Sequence, residues 1–257
     1  MGIVAFAVGL IVGSFVNVCI YRLPRQESVV WPGSHCPHCQ APIRWYDNIP
    51  LLSFALLAGR CRRCRAPISW RYPLVEFLTA ALFVQSVAAF GVSPRALQSL
   101  VLGTLLLIVF FVDLDHYIIP NRITYPGTIV GLLFAAVSDG RLDWRHAAVA
   151  AVTALALGGG FVLVNVLSAW IIGQEGMGMG DAKLAAMIGA FLGWPIGAVA
   201  ILMGVFIGGA LGVGLLALRL KGRREQIPFG PAMAAGALAA MWWGPGLLNW
   251  YLTKMLG

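Results

Sequence analysis

Two kinds of side chain in this sequence are placed to do chemistry. The first is aspartate in apolar surroundings: Asp113 and Asp115 in Val112-Asp113-Leu114-Asp115-His116-Tyr117-Ile118-Ile119-Pro120-Asn121, and Asp181 in Gly176-Met177-Gly178-Met179-Gly180-Asp181-Ala182-Lys183. Two carboxylates sharing a proton can hydrolyse an amide, the ionised one taking a proton from water while the protonated one polarises the carbonyl. Proximity favours such sharing because adjacent negative charges are costly, and the pair then titrates as a unit. Asp113 and Asp115 are two positions apart, about 200° around a helix, so they cannot both face one partner, and spacing leaves open which of them does. Asp181 has a rival reading as the cap of a helix beginning at Ala182.

The second kind is cysteine. Cys36-Pro-His-Cys39 and Cys61-Arg-Arg-Cys64 are two C-x-x-C knuckles separated by 21 residues, close to the zinc-ribbon pattern, in which each knuckle aims two thiolates at one tetrahedral Zn2+. A disulfide or redox pair is the weaker alternative if the segment faces a reducing compartment. Four thiolates leave no open position for water, so such a zinc is structural and not hydrolytic. His35 and His38 read as solvated knuckle residues, and Cys19 as a small packing residue in the first apolar run.

Elements that could hold these groups follow from composition. Of 257 residues 60% are hydrophobic and 11% charged, with mean hydropathy +0.84. A soluble surface needs roughly 25% charged residues, so the chain is read as an all-α polytopic membrane protein with about eight transmembrane helices. Apolar runs place them at 2–20, 73–91, 97–113, 123–138, 147–171, 182–194, 196–218 and 230–251. The stretch 182–194 is short for a span, and no fixed-period repeat is evident. Small residues, as at Gly158–Gly160 and Gly204–Gly214, allow close helix packing.

The first run lacks a preceding basic residue and is followed by Arg22 and Arg25, which argues for an uncleaved helix, residues 1–20, with its N-terminus outside. Residues 21–72, with eight arginines, then form a small cytoplasmic zinc-ribbon-like insertion, and 73–257 the membrane domain carrying the acids. Threading eight helices from that start puts 14 basic residues inside against four outside. The formal charge of +8 therefore reports orientation and contact with the lipid bilayer, not nucleic acid. Among other polar groups, Asn17 can join helices by hydrogen bonding. Glu76 can complement a helix start or neutralise a basic neighbour, or serve function. Lys183 reads as a partner of the acids or a snorkelling interface lysine. Glu175, Asp139 and Asp143 read as loop acids.

The assembled motifs resemble the bacterial type IV prepilin peptidases, leader peptidase/N-methyltransferases among the GxGD intramembrane aspartyl proteases. The resemblance covers most of the chain: Gly13-Ser14-Phe15-Val16-Asn17-Val18 with Arg22-Leu23-Pro24, both knuckles, Asn48-Ile49-Pro50, Ile68-Ser69-Trp70-Arg71-Tyr72-Pro73 with Glu76, the D-x-D-H-x-x-I-P-N and G-M-G-M-G-D-A-K segments, and Ile227-Pro228-Phe229-Gly230-Pro231. It implies that Asp113 and Asp181 are the catalytic pair, with Asp115 accessory. It implies an enzyme of the bacterial inner membrane, with its active site facing the cytoplasm, that cuts a short basic leader after Gly from prepilin or type II secretion pseudopilin precursors. Methylation of the freed amino group, usually on Phe, with S-adenosyl-L-methionine is implied by the resemblance alone, because no glycine-rich dinucleotide-type loop is visible. By the same analogy the N-terminal motif, the zinc segment and Glu76 contribute to methylation.

Two readings from other classes compete. A transporter or channel would carry its acids near helix centres as an ion or proton relay. A zinc-dependent assembly protein would need no acids at all.

Overall fold

The computed structural model describes residues 1–138, 141–173, 178–218 and 227–255. Glu175, Asp139, Arg219, Lys221, Arg223 and Arg224 lie outside them, as do Gly176 and Met177 of the glycine-rich segment. The chain divides into two compact units, Met1–Ile108 and Val109–Gly257.

The first unit begins with α1 (Gly2–Arg22), followed by a single 3-10 turn at Trp45–Asn48, the short α2 (Leu52–Leu56), α3 (Arg71–Phe90) and the first part of α4 (Pro94–His116). α1 packs along α3 because glycine permits it: a Cβ on Gly9 would lie 2.6 Å from the Ala80 backbone, and one on Gly13 2.7 Å from that of Glu76. Asn17, 4% exposed, donates through Nδ2 to the Tyr72 carbonyl at 3.0 Å, the helix-joining bond its position suggests.

Between α1 and α3 the sequence contains a repeat that periodicity over the whole chain does not reveal. Cys36-Pro-His-Cys39-Gln40-Ala41-Pro42-Ile43-Arg44-Trp45 recurs 25 residues later as Cys61-Arg-Arg-Cys64-Arg65-Ala66-Pro67-Ile68-Ser69-Trp70. This is one duplication and not a fixed-period repeat along the chain, and the two copies fold alike. Each brings the residue before the first cysteine into an antiparallel bridge with the proline, His35 with Pro42 and Arg60 with Pro67. Each places the residue after the second cysteine in the left-handed region, Gln40 at φ 56° and Arg65 at φ 61°. The matching backbone bonds are Cys36 N–H to Ala41 O and Cys61 N–H to Ala66 O, both 2.9 Å.

The second unit holds the end of α4, α5 (Asn121–Ala136), the two-residue strands β1 (Val137–Ser138) and β2 (Arg141–Leu142) paired antiparallel, α6 (Trp144–Ile172), α7 (Met179–Leu192), α8 (Ile196–Ala217) and α9 (Gly230–Met255). α7 packs against α5 and α6, and α8 against α9. The glycines divide by role. A Cβ on Gly236 would lie 2.4 Å from Gly204 N, and one on Gly158 3.0 Å from Ala182 O, so these seat helix on helix. Gly159, Gly160, Gly209 and Gly214 face open space.

All eight expected helices form, with ends shifted by a few residues. Among the described residues five helices, α1, α3, α4, α6 and α8, are long and apolar enough to cross a membrane. Large apolar side chains such as Leu155 and Leu163 on α6 and Phe206 and Val213 on α8 are mostly exposed, which suits hydrocarbon and not water. At 1.5 Å per residue α7 is about 21 Å long, short of a bilayer core of about 30 Å.

Candidate active site and metal centre

Both motif aspartates sit at helix ends, within the second unit. Asp113 is on the last turn of α4 and Asp181 on the first turn of α7. The ambiguity between Asp113 and Asp115 resolves by burial. Asp113 is 4% exposed and its Oδ2 accepts the Gly230 N–H at 2.9 Å, whereas Asp115 is exposed. Gly230 opens α9, where N–H groups have no partner within their own helix, and a Cβ there would lie 2.6 Å from the same Oδ2.

α7 starts three residues earlier than the sequence suggests, so Asp181 is not the cap of a helix beginning at Ala182. The N-cap is Gly178, in extended conformation, and the Asp181 carboxylate reaches back to accept its N–H, the arrangement of a capping box. Asp181 is half-buried, and the charge of Asp113 acts on it.

The stretch connecting α4 to α5 closes on this site. A Cβ on Gly180 would lie 3.1 Å from Ile119 Cβ, so glycine lets the two aspartate segments meet backbone to side chain. Lys183 meets a neutral amide and an aromatic ring on α5. Its Nζ donates to Asn121 Oδ1 at 2.9 Å and lies 5.4 Å from the centre of the Tyr125 ring. Asn121 and Gly230 are parts of the site to which residue type alone assigned no role. The signal for both was their place beside a proline at a helix start.

In the first unit, the Sγ atoms of Cys36, Cys39, Cys61 and Cys64 lie within 4.8 Å of one another, and all four thiols are free. Cys36 Sγ and Cys64 Sγ are 3.8 Å apart, close to the edge of about 3.8 Å that follows from Zn–S bonds of 2.3 Å in a tetrahedron. Backbone N–H groups of Cys64 and Arg63 point at Cys61 and hold its thiol down to about 6, while burial and the neighbouring cysteines push that of Cys64 up to about 11. The residues fit a structural Zn2+, held by four cysteines, which would supply folding energy to a segment with little core. Neither histidine joins the cluster, and Cys19 is buried in α1. Arg62 braces the second knuckle, its guanidinium bonding both Asp47 carboxylate oxygens at 2.6 to 3.0 Å.

Glu76, 9% exposed, accepts the Leu51 N–H at 2.8 Å and thereby anchors the segment after Asn48-Ile49-Pro50 to α3. Asp143 departs from a plain loop acid: it caps α6, accepting from the Arg145 and His146 amides, and its hydrogen bond with the His146 ring holds its carboxyl below the usual range.

Residues 7–90 match the bacterial Peptidase A24 N-terminal domain, and residues 100–213 match the type IV leader peptidase family. The chain belongs to the type IV leader peptidase family. Among curated relatives, the prepilin leader peptidase/N-methyltransferase of Aeromonas hydrophila is 38% identical, over 98% of this chain and 93% of its own length. The protein of the same name from Myxococcus xanthus is 39% identical over 95% of this chain and 73% of its own length. That of Bacillus subtilis is 35% identical over 99% of each. No solved structure matches. Membership of this peptidase family, with acids at helix ends and not at midplane, disfavours the transporter reading.

Proposed function

We propose that the chain is a prepilin peptidase that removes the short basic leader, cutting after Gly, from type IV prepilins or type II secretion pseudopilins at the cytoplasmic face of the inner membrane. Asp113 and Asp181 form the catalytic dyad, and residues 21–72 form the cytoplasmic metal domain. The observation that carries this reading is the meeting of two separate aspartate motifs, one acid buried on an amide donor and within electrostatic reach of the other.

In the reaction, one carboxylate is ionised and takes a proton from water. The other, protonated, donates a hydrogen bond to the scissile carbonyl and stabilises the oxyanion as water adds. Collapse of the tetrahedral intermediate breaks the C–N bond, and the dyad returns a proton to the leaving amine. The Gly230 N–H fixes Asp113, and the Gly178 N–H fixes Asp181. Asp115, being exposed, is accessory.

The freed amine, with a pKa near 8, is partly neutral at cytoplasmic pH and nucleophilic enough for the second step, N-methylation with S-adenosyl-L-methionine as co-substrate. Its nitrogen lone pair takes the methyl group, the C–S bond electrons remain on sulfur, and the amine proton passes to water.

The test is incubation of purified protein with a prepilin, with and without methyl donor, followed by mass measurement of the mature N-terminus. Wild type yields the cleaved chain, heavier by one methyl when donor is present. Asp113→Asn and Asp181→Asn leave the leader attached while still inserting into membranes. Full cleavage by both variants would remove the dyad from the mechanism.

A further inference from the structure

Arg22 ends α1 and is 6% exposed. Its Nη1 donates to the Ser28 carbonyl at 2.9 Å and its Nη2 to the Gly33 carbonyl at 3.2 Å. Both partners are neutral, and a guanidinium carries five N–H donors. Burial of a cation with no counter-charge is costly unless an anion completes it. Arg22 lines a cavity of about 540 Å³ within the first unit, and among the described residues lining it Arg22 is the sole charged one.

The cavity follows one stripe of α1. Ile11, Phe15, Val18 and Arg22 all line it, and their spacing sets them on one side of the helix. The buried stripe of Gly9, Gly13, Val16 and Ile20, whose glycines meet α3, is offset by two positions, about 200° around the helix. Ile11 and Phe15 are exposed, so this side of α1 is left to lipid. From Ile11, midway along α1, to Arg22 is a rise of about 16 Å, close to half of a bilayer core of about 30 Å. The stripe thus runs from the midplane to headgroup level. Val30, which lines the cavity at that level, and its neighbour Trp31 are both exposed, and tryptophan is enriched at membrane interfaces.

We propose that this cavity binds one anionic phospholipid, its phosphate completing Arg22 and one acyl chain lying along Val18, Phe15 and Ile11. An acyl chain of one leaflet covers the same distance as the stripe, and one phosphate balances one guanidinium. None of the described lining residues is acidic, so the site has no partner for the ammonium of a zwitterionic headgroup, which selects a lipid of the phosphatidylglycerol type. Asn48, Ile49 and Pro50 form another wall and precede Leu51, whose N–H Glu76 accepts. A bound lipid therefore clasps α1 to the chain that returns to α3. The inference needs α1 in a bilayer and is independent of the peptidase reading.

The experiment is native mass spectrometry of the purified full-length protein in micelles, titrated with phosphatidylglycerol and separately with phosphatidylcholine. Wild type retains one phosphatidylglycerol at least tenfold more tightly than phosphatidylcholine. Arg22→Gln loses that preference. Val18→Trp, which blocks the stripe and leaves the arginine in place, weakens phosphatidylglycerol binding tenfold or more. Arg25→Gln, the same charge change at an exposed position three residues on, keeps the wild-type preference. Bound zinc and elution profile report folding. Equal retention of the two lipids by wild type overturns the proposal, as does unchanged binding in the folded Val18→Trp variant. An equal loss in Arg25→Gln also overturns it, because the attraction is then a diffuse charge effect. Displacement of the lipid by inorganic phosphate would leave a free-anion site, and displacement by a prepilin would assign the groove to the substrate's helix; either result overturns the lipid assignment.

Discussion

Gly230→Ala isolates the placement of Asp113 from its chemistry, because it removes no ionisable group. The added Cβ would stand 2.6 Å from Asp113 Oδ2 and 3.0 Å from its Cγ, whereas ordinary contact begins at 3.4 Å. The carboxylate must therefore retreat by roughly 0.8 Å, lengthening its 2.9 Å bond from the Gly230 amide. A misplacement of about 1 Å in a catalytic group costs on the order of 100-fold, so we expect kcat for leader cleavage to fall about 30- to 100-fold, equivalent to about 2 to 3 kcal/mol of barrier. Helix propensity pulls the other way, since alanine is favoured over glycine by up to about 1 kcal/mol in a helix, and a loss of activity cannot be charged to weakening of α9. Gly159→Ala, at a position facing open space, is the matched control and should cleave as wild type. The assay is initial-rate cleavage of saturating prepilin, with zinc content as a check on folding. A Gly230→Ala enzyme within threefold of wild type would refute the reasoning that this amide positions Asp113.

Other outcomes follow from the same geometry. Asp115→Asn, an exposed position, should retain cleavage within about tenfold, in contrast to Asp113→Asn, measured by the same mass assay. Lys183→Met removes the 2.9 Å bond to Asn121 and should lower cleavage about 3- to 10-fold, while Lys183→Arg, which keeps a donor, recovers part of it. Metal analysis should give about one zinc per chain, and Cys61→Ser or a strong chelator should abolish it and lower the melting temperature. Gly236→Leu would force a side chain against the Gly204 backbone; overpacking of about 3 kcal/mol should reduce thermal stability by roughly 5–10 °C, read by fluorescence-detected elution after heating.

Much of the architecture is legible in the sequence because lipid imposes a blunt rule: long apolar runs become helices, and they do so here at all eight expected places. What stays hidden depends on contacts remote in sequence. The choice between Asp113 and Asp115 turns on a glycine 117 positions away, which neither acid's local spacing can indicate. The start of α7 was misjudged because glycines suggest a loop, yet Met179 and Gly180 are helical and Gly178 is the cap. α2 escapes notice because five residues carry no periodic signal. The cysteine repeat is visible in the letters once the residues after each knuckle are aligned, but not in any property that repeats along the whole chain. Arg22 shows the opposite failure: counting charges gives orientation, and says nothing about whether a given charge meets water.

The two acids of the proposed dyad also share a structural solution that explains why they lie at helix ends. In the middle of a membrane helix every backbone N–H is committed to its own helix, so a buried carboxylate there would need a cation or go without donors. At a helix start the first N–H groups are free, and each acid takes one: Asp113 from the beginning of α9, Asp181 from the cap of its own α7. A lysine in place of these amides would also relieve burial, but it would pin its partner in the ionised state and prevent the proton sharing that hydrolysis requires. The one lysine close in sequence is instead bonded to Asn121. Neutral dipoles thus hold both acids in place, which suits the proton sharing proposed for them and which a structural salt bridge would not allow.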